Sequence, residues 1–203
     1  MAIDSTKRVW VEQKVINSSD FIPLQDAVKA TNPSFFAYSL DRLHMTIFHF
    51  GVPQQLYNEF KQEVPKLTYP KFSESLEQLL LGLAGLVGTE TSQRLLGVDT
   101  LGAAKSPKVG VIVERTKGLD TLRNRAMTGV LEMLHFFGVQ KAEEFMQRSK
   151  NLRYSMGKNY IPHITIGSLN DHAGKFRVTP IALESVRLSP SSISNFDESE
   201  PIV

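Results

Sequence analysis

The sequence predicts an α+β fold in which antiparallel-leaning sheets carry helices on their outer sides. Three observations lead there. Strand-like and helix-like segments follow in the order β-α-β-α-β-β and then α-β-β, without the even βαβ tempo of a doubly wound nucleotide fold. A Walker A sequence is absent, and so is a glycine-rich phosphate loop following a strand. Finally, the skeleton His-apolar-Thr stands twice inside an apolar run, in LHMTIFHFG at 43–51 and in IPHITIGS at 161–168.

Taken in order, KRVWVEQKVI at 7–16 mixes β-branched and aromatic residues with polar ones and reads as a first strand. Ser19 to Ala30 offers a polar start and apolar residues at Ile22, Leu24, Ala27 and Val28, a short helix closed by Asn32-Pro33. Residues 35–50 contain the next strand, strongest from Leu43 to Phe50. A short amphipathic helix is expected around LYNEFKQEV. Tyr69-Pro70 interrupts, and Ser73 starts a helix through SLEQLLLGLAGL, which Gly82 and Gly85 weaken. RLLGVDTLG and KVGVIVE, joined by AAKSP at 103–107, read as a β-hairpin. Leu119, Leu122, Ala126, Val130, Leu134 and Phe137 recur at helical steps, with Asp120 in the first turn and Gly138 just past the end. Residues 140–160 are polar and basic, a surface loop with some helix. IPHITIGSL and IALESVRL are the last two strands.

A chain of 203 residues suffices for one domain, here taken as residues 1–203 with two lobes. Hydrophobic residues at 41% and charged residues at 22% match an ordinary globular protein. With no cysteine, disulfides, thiolate catalysis and cysteine-held metals are excluded. The apolar stretch LLLGLAGLVG at 79–88 is too short to cross a bilayer, and the first residues lack the apolar segment of a signal peptide. A soluble, cytoplasmic monomer without an obligate protein partner is the expectation. A net charge of +2 argues against a long nucleic-acid groove, whereas a small phosphorylated ligand or an RNA end needs far less positive charge.

Strand alternation puts His44, Thr46 and Phe48 on one face of the first histidine segment, and Met45, Ile47 and His49 on the other. In the second, His163, Thr165 and Gly167 share a face, with Ile164 and Ile166 behind. Each strand thus presents an imidazole and a hydroxyl together, and buried polar groups of this kind must be hydrogen-bonded or border a wet cleft. If the two faces converge, two imidazoles flank a gap. One can take a proton from an attacking water or hydroxyl and the other can give one to a leaving oxygen. The threonine hydroxyls can donate to non-bridging phosphate oxygens, and this chemistry needs neither metal nor cofactor.

LHMTIF and PHITIG are similar to the two signature motifs of the 2H (two-histidine) phosphoesterases. That family includes RNA 2′,3′-cyclic phosphodiesterases, bacterial RNA 2′-5′ ligases, plant cyclic phosphodiesterases and the nucleotide-binding domain of an A-kinase anchoring protein. The resemblance implies a bilobal, duplicated α+β fold with one motif from each lobe at a central cleft. It implies His44 and His163 as the catalytic pair, Thr46 and Thr165 as phosphate donors, and a nucleotide or RNA end as substrate. A module that holds a nucleotide or phosphorylated partner in the same cleft without turnover is the second reading.

The remaining candidates are weighed individually. Phe48, on the His44 face, and Tyr160, just before the second motif, are candidates to stack against a base; core packing and loop anchoring are their plainer roles. His49 is expected to point away from His44 and to be structural. His135 and His172 read as ordinary surface or semi-buried residues. Zinc on His44 and His163 would want a third ligand that the motifs do not supply. The basic run QRSKNLRYSMGK at 147–158 is a solvated surface or a phosphate-attracting lip.

Overall fold

In the computed structural model, which describes residues 3–84, 86–101, 107–156, 160–170, 176–177 and 181–196, strand β1 (Arg8–Val15) sits between two neighbours. Val9 and Val11 enter a hydrophobic core, and alternation turns Trp10 and Glu12 to the opposite face. Helix α1 (Ile22–Thr31) follows a 3-10 turn at Ser18–Phe21. It begins later than the expected Ser19 because Pro23, which has no N–H to satisfy, is favoured in the first helical turn.

The expected strand within 35–50 is two strands. β2 (Phe35–Ala37) and β3 (His44–Gly51) are separated by a 3-10 turn at Leu40–Arg42 and pair with different partners. Helices α2 (Pro53–Glu63) and α3 (Tyr69–Ala84) come next. Tyr69-Pro70 opens α3 rather than interrupting the chain, again with proline in the first turn, and Phe72, Leu76, Leu80 and Leu83 form its buried stripe. The expected hairpin forms from β4 (Thr91–Leu101) and β5 (Lys108–Val113); residues 103–106 of its turn, like Gly85 and His172, lie outside the described residues.

Helix α4 (Lys117–Phe136) is capped by Thr116, whose side chain accepts from the Leu119 N–H. It ends at Gly138, whose φ of 82° suits glycine alone without strain. His135 is exposed on it, as expected. The 140–160 segment is more ordered than a surface loop. Helix α5 (Ala142–Arg148) buries Ala142, Phe145 and Met146, which recur at steps of three and four, and the short α6 (Arg153–Met156) follows. Strands β6 (His163–Leu169) and β7 (Ser185–Phe196) complete the fold.

Among the described residues all strand pairings are antiparallel, in one seven-stranded sheet ordered β2-β6-β3-β1-β7-β4-β5. Because β5 also pairs with β6, the strands close a circuit. Its weakest joint is between β3 and β6, bridged only at Met45 and Ile164. Two hydrophobic clusters fill the fold. One packs Ile47, Phe48 and Phe50 against α2, α3, α4 and α5; the other gathers Phe21, Leu43, Met45, Val111 and Ile164 around α1 and the β4–β5 hairpin. Each histidine segment is thus pinned by apolar side chains behind it. Among the described residues, no helix is long and apolar enough to cross a membrane.

Gly167 marks where β2 crosses closest to β6. A methyl group there would collide with the Phe36 carbonyl and the Phe35 ring. Gly167→Ala is therefore expected to lower unfolding stability by about 1–3 kcal/mol, the usual range for overpacking. Urea denaturation checks this.

Candidate active site

The β3–β6 joint brings the two histidine segments together. In the antiparallel register set by Met45 and Ile164, His44 lies across from Thr165 and Thr46 across from His163. Met45 and Ile164 are fully buried, while these four residues are all half-buried on the other face. A single bridged pair leaves both strands free to diverge on either side of it. A cavity of about 690 Å³ opens there, bordered by Thr46, His49, Tyr160, His163 and, at its mouth, Arg8, Lys108 and Lys150. Its size suits a small ligand. His44 and Thr165 flank this cavity rather than line it.

The two imidazoles are held alike. Nδ1 of His44 donates to the Arg42 carbonyl at 2.8 Å, and Nδ1 of His163 donates to the Ile161 carbonyl at 2.8 Å. A carbonyl only accepts, so both Nδ1 atoms carry the proton, and in the neutral ring both Nε2 atoms are left as bases. Burial pushes the His163 pKa below the ordinary imidazole range; the Ile161 carbonyl opposes this and the charge of His44 adds to it.

Around His44 lies a constellation invisible in the motifs. The Glu12 carboxylate, almost wholly buried, places Oε2 3.6 Å from His44 Nδ1. It accepts from the Trp10 indole N–H at 2.7 Å and from the Ser194 hydroxyl. The Trp10 ring stacks between two imidazoles, with centroids 5.7 Å from His44 and 5.9 Å from His49. A clue is present in RVWVEQ: a lone acid inside an apolar strand is buried, and a buried acid needs partners.

Two expectations are corrected by β-bulges. The β1–β3 register runs Trp10 with His49, Val11 with Phe48 and Glu12 with Thr46, so Ile47 is an extra residue in β3. That extra residue inverts the alternation beyond it. His49 therefore shares the face of His44 and Thr46 instead of pointing away, and its Nδ1 accepts from the Gly51 N–H at 3.0 Å. Phe48 turns to the core, where it is 1% exposed and packs on Phe50 at 4.9 Å between ring centroids. It is no free platform for a base, although it borders the cavity.

Tyr160 does reach the cavity, and it also fastens it. Its hydroxyl donates to the Thr46 carbonyl at 2.7 Å, tying the approach to β6 onto β3. One face of its ring is covered by the Arg123 guanidinium, 3.9 Å from the centroid. Burial pushes the Tyr160 pKa up to about 12, with the charge of Arg123 opposing, so the hydroxyl remains a donor. Arg123 is itself buried, and its terminal nitrogen donates to the Ser155 carbonyl. Tyr160→Phe removes the Thr46 bond alone and is expected to cost about 1 kcal/mol of stability. A thermal or urea melt checks that loss.

The basic run does border the cavity through Lys150, whose N–H donates to Glu59, as does the neighbouring Asn151 amide. Gly51 packs so tightly beneath Asn151, at a φ of 74°, that a side chain there would be both strained and blocked. A larger hollow of about 810 Å³ lies along β4 beside Arg94, Glu114 and Glu184, but no histidine borders it among the described residues. The smaller cavity is the one bordered by His163 and Thr46, with His44 and Thr165 at its flank. Among the described residues no cluster of three or more acidic or histidine side chains is placed to hold a metal ion.

No protein-family model and no curated protein sequence matches the chain. Solved structures do. TT0787 of Thermus thermophilus superposes with a TM-score of 0.60 at 19% identity, over 92% of this chain and 86% of that one. A structure described as a phosphoesterase gives 0.54 at 14% identity, over 93% and 88%. E. coli LigT complexed with 3′-AMP gives 0.53 at 12% identity, over 96% and 90%. With its antiparallel strands and outer helices arranged as in these structures, the chain has the fold of the two-histidine phosphoesterases.

Proposed function

We propose that this cleft cleaves a 2′,3′-cyclic phosphate, or a related 2′-linked phosphodiester, on a nucleotide or an RNA end. The observation that supports this most is the matched pair of imidazoles on facing strands, each with Nδ1–H tied to a carbonyl two residues back, and each opposed to the other's threonine. One imidazole takes the proton of the attacking water as its oxygen bonds to phosphorus. The other gives a proton to the ribose oxygen as the phosphorus–oxygen bond breaks, leaving a phosphomonoester and a free hydroxyl. Thr46 and Thr165 donate to the non-bridging oxygens, whose charge grows in the transition state. Proton transfer and charge stabilisation are both supplied by side chains, so no step runs through a metal ion.

Tyr160 offers its uncovered ring face as a wall for the base, and Arg8, Lys108 and Lys150 attract the phosphates at the mouth. E. coli LigT has been crystallised with 3′-AMP, ATP and NADP+, ligands that share a nucleotide with the substrate class proposed here.

The test is incubation with chelator present against 2′,3′-cyclic nucleotides, 2′-5′ oligoadenylate and RNA ending in a cyclic phosphate, with the products identified. Ring opening or 2′-5′ cleavage that is indifferent to chelator is expected. Tight nucleotide binding without product from any of these would replace the proposal by the second reading, a module that holds the ligand without turnover.

A further inference from the structure

An arginine stands in the buried stripe of α4, where Leu119, Ala126 and Val130 flank it at helical steps. Resting on the phosphodiesterase reading, we infer that Arg123 is a positioning residue acting through Tyr160, and that the pair makes the cavity prefer purine over pyrimidine nucleotides.

Arg123 is 5% exposed, yet a guanidinium keeps its charge when buried. A buried charge is ordinarily matched by an opposite one. Among the described residues no carboxylate pairs with Arg123, and Asp120 on the same helix is engaged by Arg115. One terminal nitrogen donates to the Ser155 carbonyl, and Nε is buried without a hydrogen-bond partner among the described residues. The guanidinium carbon instead lies 3.9 Å from the centre of the Tyr160 ring, well inside cation–π range. The face of that ring, rather than an acid, answers the charge.

Tyr160 carries the effect to the cavity. Its hydroxyl is pinned by the Thr46 carbonyl and one face by Arg123, so the ring is oriented before a ligand arrives. The ring is half-buried and borders the cavity. A platform already fixed has little freedom to lose when a base stacks on it. The cation also draws π density toward itself, so the opposite face favours a broad, electron-rich partner. A purine, with two fused rings, meets that demand better than a pyrimidine. Stacking strength therefore separates the two base classes.

Reading of base edges is poorly provided for. Asn151 is committed at both ends of its amide, accepting from the Val52 N–H and donating to Glu59. The Ser155 hydroxyl is engaged with the backbone N–H and carbonyl of His49. Gln55 also borders the cavity but is exposed, and water competes for its amide. Adenine and guanine should accordingly be held about equally well.

Calorimetric titration of the whole chain with the 3′-monophosphates of adenosine, guanosine, cytidine and uridine tests this without turnover. In the wild-type protein both purine nucleotides are expected to bind at least about fivefold more tightly than either pyrimidine nucleotide, a part of what one stacked base contributes. In Arg123→Met, which keeps a long apolar stem in the helix stripe, that ratio is expected to fall at least about twofold, the scale of a lost cation–π contact. Tyr160→Phe keeps the ring beside the guanidinium and should keep most of the ratio. A merely structural role for Arg123 would weaken all four nucleotides and inorganic phosphate together and leave the ratio where it was. Equal binding of purine and pyrimidine nucleotides to the wild-type protein, or an unchanged ratio in folded Arg123→Met, would overturn the inference. Should Arg123→Met not fold, the wild-type ratio and Tyr160→Leu decide, because removing the ring should abolish the preference while phosphate still binds. Turnover of cyclic phosphates without a purine preference would sink this inference and spare the proposed activity. Purine-selective binding without turnover would do the reverse, and no binding of any of the four nucleotides would overturn both.

Discussion

His163→Ala is expected to lower kcat/KM on a 2′,3′-cyclic nucleotide by about 10³–10⁴-fold, the scale of a lost general acid or base, or roughly 4–5 kcal/mol of transition-state stabilisation. His44→Ala should do the same. Each ring is tied to its own backbone by one hydrogen bond and is only partly buried, so its loss should leave the melting temperature within a few degrees of wild type. The double variant should be little worse than either single one, because two groups that serve one proton-transfer cycle do not contribute additively. His49→Ala is the informative contrast. It too faces the cleft, but it lies beyond Trp10 and should lose far less than either motif histidine. Steady-state kinetics on purified variants, with folding followed by circular dichroism, measures all four. A His163→Ala enzyme of near-normal activity would remove that residue from the chemistry.

The threonines should give the second-largest effects. Thr46→Val and Thr165→Val keep the β-branched shape of a strand residue while deleting the hydroxyl, and each is expected to reduce kcat by about 10²-fold, as for one lost donor to a developing oxyanion. The loss belongs in kcat more than in KM, since the charge on the non-bridging oxygens is greatest in the transition state. Serine at either position should restore most of the rate. Equal losses in the serine and valine variants would mean that the methyl group, and hence packing, is what matters there. Thr46 carries a second duty, because its carbonyl accepts from Tyr160. That bond belongs to the backbone and survives in every Thr46 variant, so the side-chain effect can be read cleanly.

Much of the site is legible in the sequence because two-residue alternation holds locally. His44 with Thr46, and His163 with Thr165, share a face in the structure as the spacing requires, and Met45 and Ile164 anchor them from behind. Legibility fails one residue later. The extra Ile47 in β3 is a matter of pairing with β1, which no local pattern records, and it exchanges the fates of Phe48 and His49. The starts of α1 and α3 differ from expectation for another reason: proline looks like an interruption, whereas its fixed φ and missing N–H suit the first helical turn. Helix α5 is hidden among charges, although Ala142, Phe145 and Met146 carry the periodicity. The closing of the strand circuit by β5, β6 and β3 joins residues far apart in the chain and has no sequence signal.

Glu12 shows where a site exceeds its motif. Neither histidine segment contains it, yet its carboxylate stands beside His44, and it arrives there because β1 lies against β3 with Glu12 in register with Thr46. The motif supplies two imidazoles held alike; the third strand sets a buried carboxylate beside one of them.

A crystal structure with a nucleoside 2′- or 3′-monophosphate, the product of the proposed reaction, tests the central claim most directly. Nε2 of His44 and of His163 should both lie within about 3 Å of oxygens on one and the same phosphate, with the Thr46 and Thr165 hydroxyls on its remaining oxygens. A phosphate bound to one imidazole with the other turned away, or seated in the hollow beside Arg94 instead, would contradict it.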